Sequence, residues 1–124
     1  MAHSPTVLIV DDDSAIRKML VEVLQLEGYP TETAVNGREA LEMLGRGAAR
    51  VVLLDLLMPV LDGRGVMEEL RARPTERARH KIVLVSAVHN LEAARDLQAE
   101  ADGTLPKPFT VPQLLNVLGL VSIP

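Results

Sequence analysis

The chain contains no cysteine and no tryptophan, and Tyr29 and Phe109 are its only aromatic residues. Without cysteine there is neither a disulfide framework nor a thiolate metal centre. Two aromatics provide no surface on which nucleic-acid bases could stack. No apolar stretch approaches the ~18 residues of a membrane span. The opening Met-Ala-His-Ser-Pro lacks the charged and then apolar run of a signal peptide. The expected setting is therefore cytoplasmic, without membrane contact. A formal net charge of -4 does not favour direct binding to a nucleic-acid backbone or an anionic membrane. A GxxxxGK[ST] loop is missing, as is a Gly/Ser/Thr loop after the first apolar run that could cradle a phosphate.

What is present is the pattern of one α/β domain. A chain of 124 residues suits a single core, and residues 1–124 are expected to form one domain with its core at about 6–120. Three apolar runs, Thr6 to Val10, Val51 to Leu54 and Lys81 to Val85, are rich in Val, Ile and Leu without polar alternation. Such runs suit strands covered on both faces, as in a parallel sheet. Weaker strand candidates are Pro30 to Val35 and Gly103 to Pro106.

Helical spacing separates the runs. Ile16, Leu20, Val23, Leu24 and Glu27 predict a first helix, with Asp13 or Ser14 as N-cap and Gly28 as terminator. Ala40, Leu41 and Leu44 mark a second helix. Val66, Met67 and Leu70 mark a third, stopping before Pro74. Leu91, Ala94, Leu97 and Ala101 mark a fourth, and Val111, Leu114, Leu115 and Leu118 a fifth. Five β-α repeats imply a doubly wound parallel sheet.

In such a sheet, ligands bind where the strands end at their carboxyl side. The chemically informative residues all fall there: Asp11 and Asp12 after the first strand, Asp55 ending the third, Ser86 ending the fourth, and Lys107 after the fifth. Three carboxylates and one ammonium leave a net charge of -2. Crowded carboxylates must be protonated or metal-bound, and hard oxygen ligands favour magnesium, manganese or calcium over zinc. A carboxylate can also act as a nucleophile toward phosphorus and form an acyl phosphate. A cation and a lysine would neutralise charge on the group in transit.

The segments Val7-Leu8-Ile9-Val10-Asp11-Asp12, Leu54-Asp55-Leu56-Leu57-Met58-Pro59 with Asp62-Gly63, Val85-Ser86-Ala87, and Lys107-Pro108-Phe109 resemble the motifs of response-regulator receiver domains. The resemblance runs from about Thr6 to Leu120. It implies the chemotaxis-regulator-like, flavodoxin-like (βα)5 fold with strand order 2-1-3-4-5. It further implies two-component signal transduction, with Asp55 as phosphoacceptor. Asp12, the Asp55 carboxylate and the Leu57 carbonyl would hold Mg2+ (or Mn2+), with Asp11 acting partly through water. Lys107 would pair with Asp55 and then with the phosphoryl group. Ser86 would be the switch hydroxyl, and the amides of Leu56 and Ala87 would contact phosphoryl oxygens. The Lys107–Pro108 bond would be cis. Donors would be a histidine kinase, a histidine phosphotransfer protein or a small acyl phosphate. A homodimer or an output partner would use the face of the fourth helix, fifth strand and fifth helix. Such a domain is not a conventional enzyme, because its phosphoryl chemistry acts only on itself.

The sequence departs from the family in places. Thr104 occupies a position, three before Lys107, where receivers often carry Tyr or Phe, so the usual aromatic coupling cannot operate in that form. Pro106 removes a backbone donor and places its strand at an edge. Leu57 and Val88, two residues after Asp55 and Ser86, cannot position an attacking water, which implies slow self-dephosphorylation. Val117, Leu120 and Val121 extend the apolar surface of the last helix. They suit either an exposed docking patch or packing of the helix end.

The remaining features carry no chemistry. Asp13 reads as a cap and Asp62-Gly63 as a turn. His3, His80 and His89 read as surface residues, and Arg64, Arg71 and Arg73 as a solvated face. The five methionines read as core filler. Three competing functions remain. An unphosphorylated pseudo-receiver would lack an acid, the acceptor or the lysine. A haloacid-dehalogenase-like phosphatase would need Asp-x-Asp after the first strand, matched here only trivially by Asp11-Asp12-Asp13. A flavodoxin-like binder would need the absent phosphate loop.

Overall fold

Strands without polar alternation have no face to give to water, so they are stable only between two layers of helices. A computed structural model describes residues 4–121 and has that arrangement. The elements run β1 (Thr6–Val10), α1 (Ser14–Leu26), β2 (Thr31–Ala34), α2 (Gly37–Leu44), β3 (Arg50–Asp55), α3 (Gly63–Arg71), α4 (Pro74–Arg79), β4 (Lys81–Ala87), α5 (Val88–Ala93), α6 (Arg95–Glu100), β5 (Gly103–Lys107) and α7 (Val111–Val121). The five strands form one parallel sheet in the order β2-β1-β3-β4-β5.

Side chains of one strand alternate between the two layers. Leu8, Val10, Val52, Leu54, Ile82 and Leu84 pack with Leu41, Leu44, Val66, Leu70 and Leu97 on one side of the sheet. Val7, Ile9, Val51, Leu53 and Val83 pack with Leu20, Leu24, Leu114 and Leu118 on the other. Truncating one of the fully buried leucines to alanine costs about 2–5 kcal/mol in sites of this kind.

Local signals set the helix ends. Asp13 caps α1 by accepting from the N–H groups of Ala15 and Ile16. At the other end Gly28 takes φ +88°. The N–H of Gly28 donates to the Gln25 carbonyl and that of Tyr29 to the Leu24 carbonyl, the pair of bonds that defines a Schellman stop. Asn36 caps α2 and Asp62 caps α3 through the Gly65 N–H.

Several expectations are corrected. The third helix does end before Pro74, at Arg71, but Pro74 then opens the short α4 as its first residue, so two helices rather than one separate β3 from β4. The fourth is two helices broken at Ala94, whose φ of -111° and ψ of 37° are not helical. His80 is not a surface residue: it is 1% exposed. Its ring meets the Arg50 N–H and the Leu44 carbonyl. Val117 and Val121 are buried, whereas Leu120 is 77% exposed. The reason is Gly103, where a side chain would begin 3.2 Å from Val117 and 3.3 Å from Val121. Its missing side chain lets α7 sit down on β5. Met67 is core, but Met19 is exposed. Arg64 and Arg71 are tied to Asp96 and Glu100 across to α6. Pro106 does lie on an edge strand, since among the described residues β5 pairs only with β4. His89 is exposed, and His3 lies outside the described residues.

Candidate functional site

The strand order reverses between β1, which neighbours β2 on one side, and β3 on the other. Crevices form at such a switch point beyond the carboxyl ends of the strands. Asp11 follows β1 and Asp55 is the last residue of β3, with Val10 and Leu54 side by side in register. On the other flank Asp55 stands opposite Val85, one rung before the buried Ser86. Ala87 stands opposite Lys107, the last residue of β5.

One carboxylate oxygen from each of Asp11, Asp12 and Asp55 lies within 4.8 Å of the other two. Asp11 and Asp55 are buried and Asp12 is exposed. Lys107 Nζ donates to Asp11 Oδ2 at 3.0 Å and lies 3.6 Å from Asp55 Oδ2. The family resemblance implies a Lys107–Asp55 pair, whereas Asp11 is the nearer partner. The Leu57 N–H donates to Asp55 Oδ1 at 3.3 Å. The Lys107–Pro108 peptide is cis. Thr104 is half-buried on β5, and Leu57 and Val88 are exposed at the rim.

The electrostatics are those of an acid pocket short of positive charge. Burial raises the Asp55 pKa above the ordinary carboxylate value, Lys107 pulls it down, Asp11 pushes it up, and the net shift is upward. For Lys107, burial works against the ammonium, but its hydrogen bond to Asp11 and the charge of Asp55 prevail, and its pKa rises. A divalent cation would cancel the residual charge of -2 and favour the ionised Asp55. An all-oxygen donor set with one exposed carboxylate suits a hard ion that keeps bound water, so the residues present fit Mg2+.

Two further residues shape the pocket without touching the side-chain oxygens of its acids. Arg17, on the first turn of α1, donates through Nη1 to the Asp11 carbonyl at 2.7 Å and anchors the turn that carries the acids. Gly63, read only as a turn residue, starts α3 against β3. A side chain there would begin 2.6 Å from the Asp55 carbonyl oxygen and 2.8 Å from Leu56 Cα. The signal for Arg17 is an arginine six residues beyond a strand-end acid. For Gly63 it is a glycine directly after an N-cap.

The loop from Leu56 to Asp62 is closed by the Gly63 N–H on the Leu56 carbonyl, and the Gly37 N–H holds the Leu61 carbonyl. Within it Val60 has φ +70°. The Leu61 N–H donates to the Pro59 carbonyl at 2.8 Å across Val60, a γ-turn of the strained positive-φ kind.

A doubly wound parallel sheet whose switch point holds three carboxylates and a lysine makes this an α/β domain with an acid pocket at the carboxyl ends of its strands. The chain belongs to the response regulator receiver domain family, whose model matches residues 7–119. It is 39% identical to the response regulator MprA of Mycolicibacterium vanbaalenii over 109 residues, covering 88% of this chain and 46% of that protein. It is 40% identical to the response regulator MprA of Mycobacterium leprae, covering 88% and 47%. The chain thus spans about half the length of the curated relatives it matches. Among solved structures, the Vibrio cholerae chemotaxis protein CheY4 has a TM-score of 0.84 at 34% identity, covering 97% of this chain and 99% of that one. The response regulator TrrA of Thermotoga maritima, solved in complex with Mg2+-BeF, has a TM-score of 0.79 at 35% identity, covering 94% and 98%. Among the described residues, no helix is long and apolar enough to cross a membrane.

Proposed function

We propose that residues 1–124 act as one receiver domain that takes a phosphoryl group onto Asp55 and thereby switches its partner contacts. The observation that carries this is the convergence of Asp11, Asp12 and Asp55 within 4.8 Å, with Lys107 Nζ 3.6 Å from Asp55. The donor is a phosphohistidine on a histidine kinase or histidine phosphotransfer protein. An Asp55 oxygen attacks phosphorus, the P–N bond breaks, and the imidazole leaves with the bonding electrons. The product is an acyl phosphate.

Asp11, Asp12, Asp55 and the Leu57 carbonyl would hold Mg2+, with Mn2+ a substitute, and the ion supplies charge neutralisation to the phosphoryl oxygens. Lys107 carries the protein's own share of that neutralisation. The N–H groups of Leu56 and Ala87 and the Ser86 hydroxyl donate to phosphoryl oxygens. Leu57 and Val88 present no group that could orient water, so the acyl phosphate is long-lived. A homodimer or an output partner uses the face of α5, α6, β5 and α7, where Val111 and Leu120 remain exposed. Thr104 replaces the aromatic ring that would otherwise move there. The setting is cytoplasmic.

Beryllofluoride with magnesium tests the reading. Amide resonances of Leu56, Leu57, Ala87 and Lys107 should shift together. No response would favour a receiver-shaped interaction module without phosphoryl chemistry.

A further inference from the structure

At the end of the sheet opposite Asp55, the His80 ring joins three elements. Its Nδ1 lies 3.1 Å from the backbone nitrogen of Arg50, the first residue of β3. Its Nε2 lies 3.0 Å from the carbonyl of Leu44, the last residue of α2. His80 itself leads into β4. A peptide N–H can only donate and a carbonyl can only accept. Nδ1 must therefore carry the lone pair and Nε2 the proton, which fixes one neutral tautomer. A second proton could enter only at Nδ1, where it would face the Arg50 N–H.

The surroundings give that proton no counter-ion. Arg50 is 8% exposed. Its Nη1 donates to the carbonyls of Met43, Arg46 and Ala48, and its Nε to Glu32 of β2 at 2.6 Å. Arg79 donates to the carbonyls of Leu44 and Gly47. Arg77 holds the His80 carbonyl and Asp102, and Lys81 is next in sequence. Of the nearby acids, Glu32 is held by Arg50 and Asp102 by Arg77, while Glu76, close to Gly45, faces Arg73 at 3.6 Å with no hydrogen bond to its buried Oε2 among the described residues.

We propose that His80 is a proton-operated latch: neutral, it clamps the end of α2 to the starts of β3 and β4, and on protonation it lets go of the Arg50 N–H at the start of β3. Burial lowers the His80 pKa from 6.5; the Leu44 carbonyl opposes it, the charges of Arg79, Arg50 and Arg77 add to the lowering, and the net shift is downward. The unfolded chain therefore binds the proton first. The latch contributes its full stability above pH 6.5, and this is lost as pH falls from there through the folded-state value.

The test uses the whole chain. Ring 15N resonances should show the Nε2–H tautomer at neutral pH and a titration below that of an ordinary histidine. Protection of the Arg50 amide from hydrogen exchange should fall as the ring takes its proton. Urea unfolding of wild type and His80→Gln, compared from about pH 7.5 to about pH 5, should diverge. The wild-type unfolding constant, relative to the variant's, should rise by up to about tenfold per pH unit, the limit for one proton. Parallel pH profiles, an Nδ1–H tautomer, or titration at or above the ordinary value would overturn the proposal. Should His80→Gln not fold, the wild-type resonances decide alone.

Discussion

Lys107 Nζ sits closer to Asp11, at 3.0 Å, than to Asp55, at 3.6 Å. The ammonium is thus held on the floor of the pocket by one acid while it faces the other. Held in that way it meets an incoming phosphoryl group without having to move into place, which is what preorganised charge stabilisation requires. Lys107→Met should slow phosphoryl transfer from a small acyl phosphate by roughly 10²–10³-fold, the usual cost of losing one preorganised charge or donor. Rates with and without saturating magnesium check this, and a variant as fast as wild type would remove Lys107 from the chemistry.

Asp55 makes a stability prediction with a definite sign. Its folded-state pKa is raised above 3.8, chiefly by burial. Between 3.8 and the folded value the native chain binds more protons than the unfolded one, so stability falls as pH rises through that window. Metal-free protein at neutral pH therefore carries a destabilising charge at this position. Asp55→Asn should raise the thermal midpoint of metal-free protein near pH 7 and show a smaller rise in midpoint on adding magnesium. Midpoints in chelator and in magnesium measure both effects.

Gly63 couples the fold to the acceptor. With a virtual side-chain carbon 2.6 Å from the Asp55 carbonyl oxygen, Gly63→Ala forces α3 or the end of β3 to shift. Overpacking of this kind costs about 1–3 kcal/mol. Urea unfolding should show that loss, accompanied by weaker magnesium binding because Asp55 moves.

Much of this architecture was legible in the residues. Parallel strands buried on both faces leave an uninterrupted apolar run, and acids at two of those ends have no structural reason to lie there. What stayed hidden depended on distant partners. Nothing local to His80 reveals that the Arg50 N–H and the Leu44 carbonyl close on its ring. Pro74 reads as a stop because α4 buries none of its residues and so has no apolar stripe. The surplus apolar residues of α7 look like a docking patch until Gly103, far away in sequence, makes room for Val117 and Val121.

Val60 holds a conformation that side chains branched at Cβ resist, with φ +70° at 79% exposure. Left-handed backbone at a residue other than glycine costs of order 1–3 kcal/mol. The exposed side chain returns little packing in exchange. Val60→Gly should therefore raise the unfolding free energy by about 1 kcal/mol after the extra freedom of glycine in the unfolded chain is offset. Denaturant midpoints decide this, and a loss of stability would mean the Val60 side chain has a partner on the loop.

The most direct test is to locate the phosphoryl group itself. The chain is incubated with acetyl phosphate and magnesium, reduced with borohydride so that an aspartyl phosphate becomes homoserine, and mapped by peptide mass spectrometry. The account predicts homoserine at position 55, lost on chelation of the metal and absent from Asp55→Asn. Label at another residue, or labelling of position 55 that ignores the metal, would contradict it.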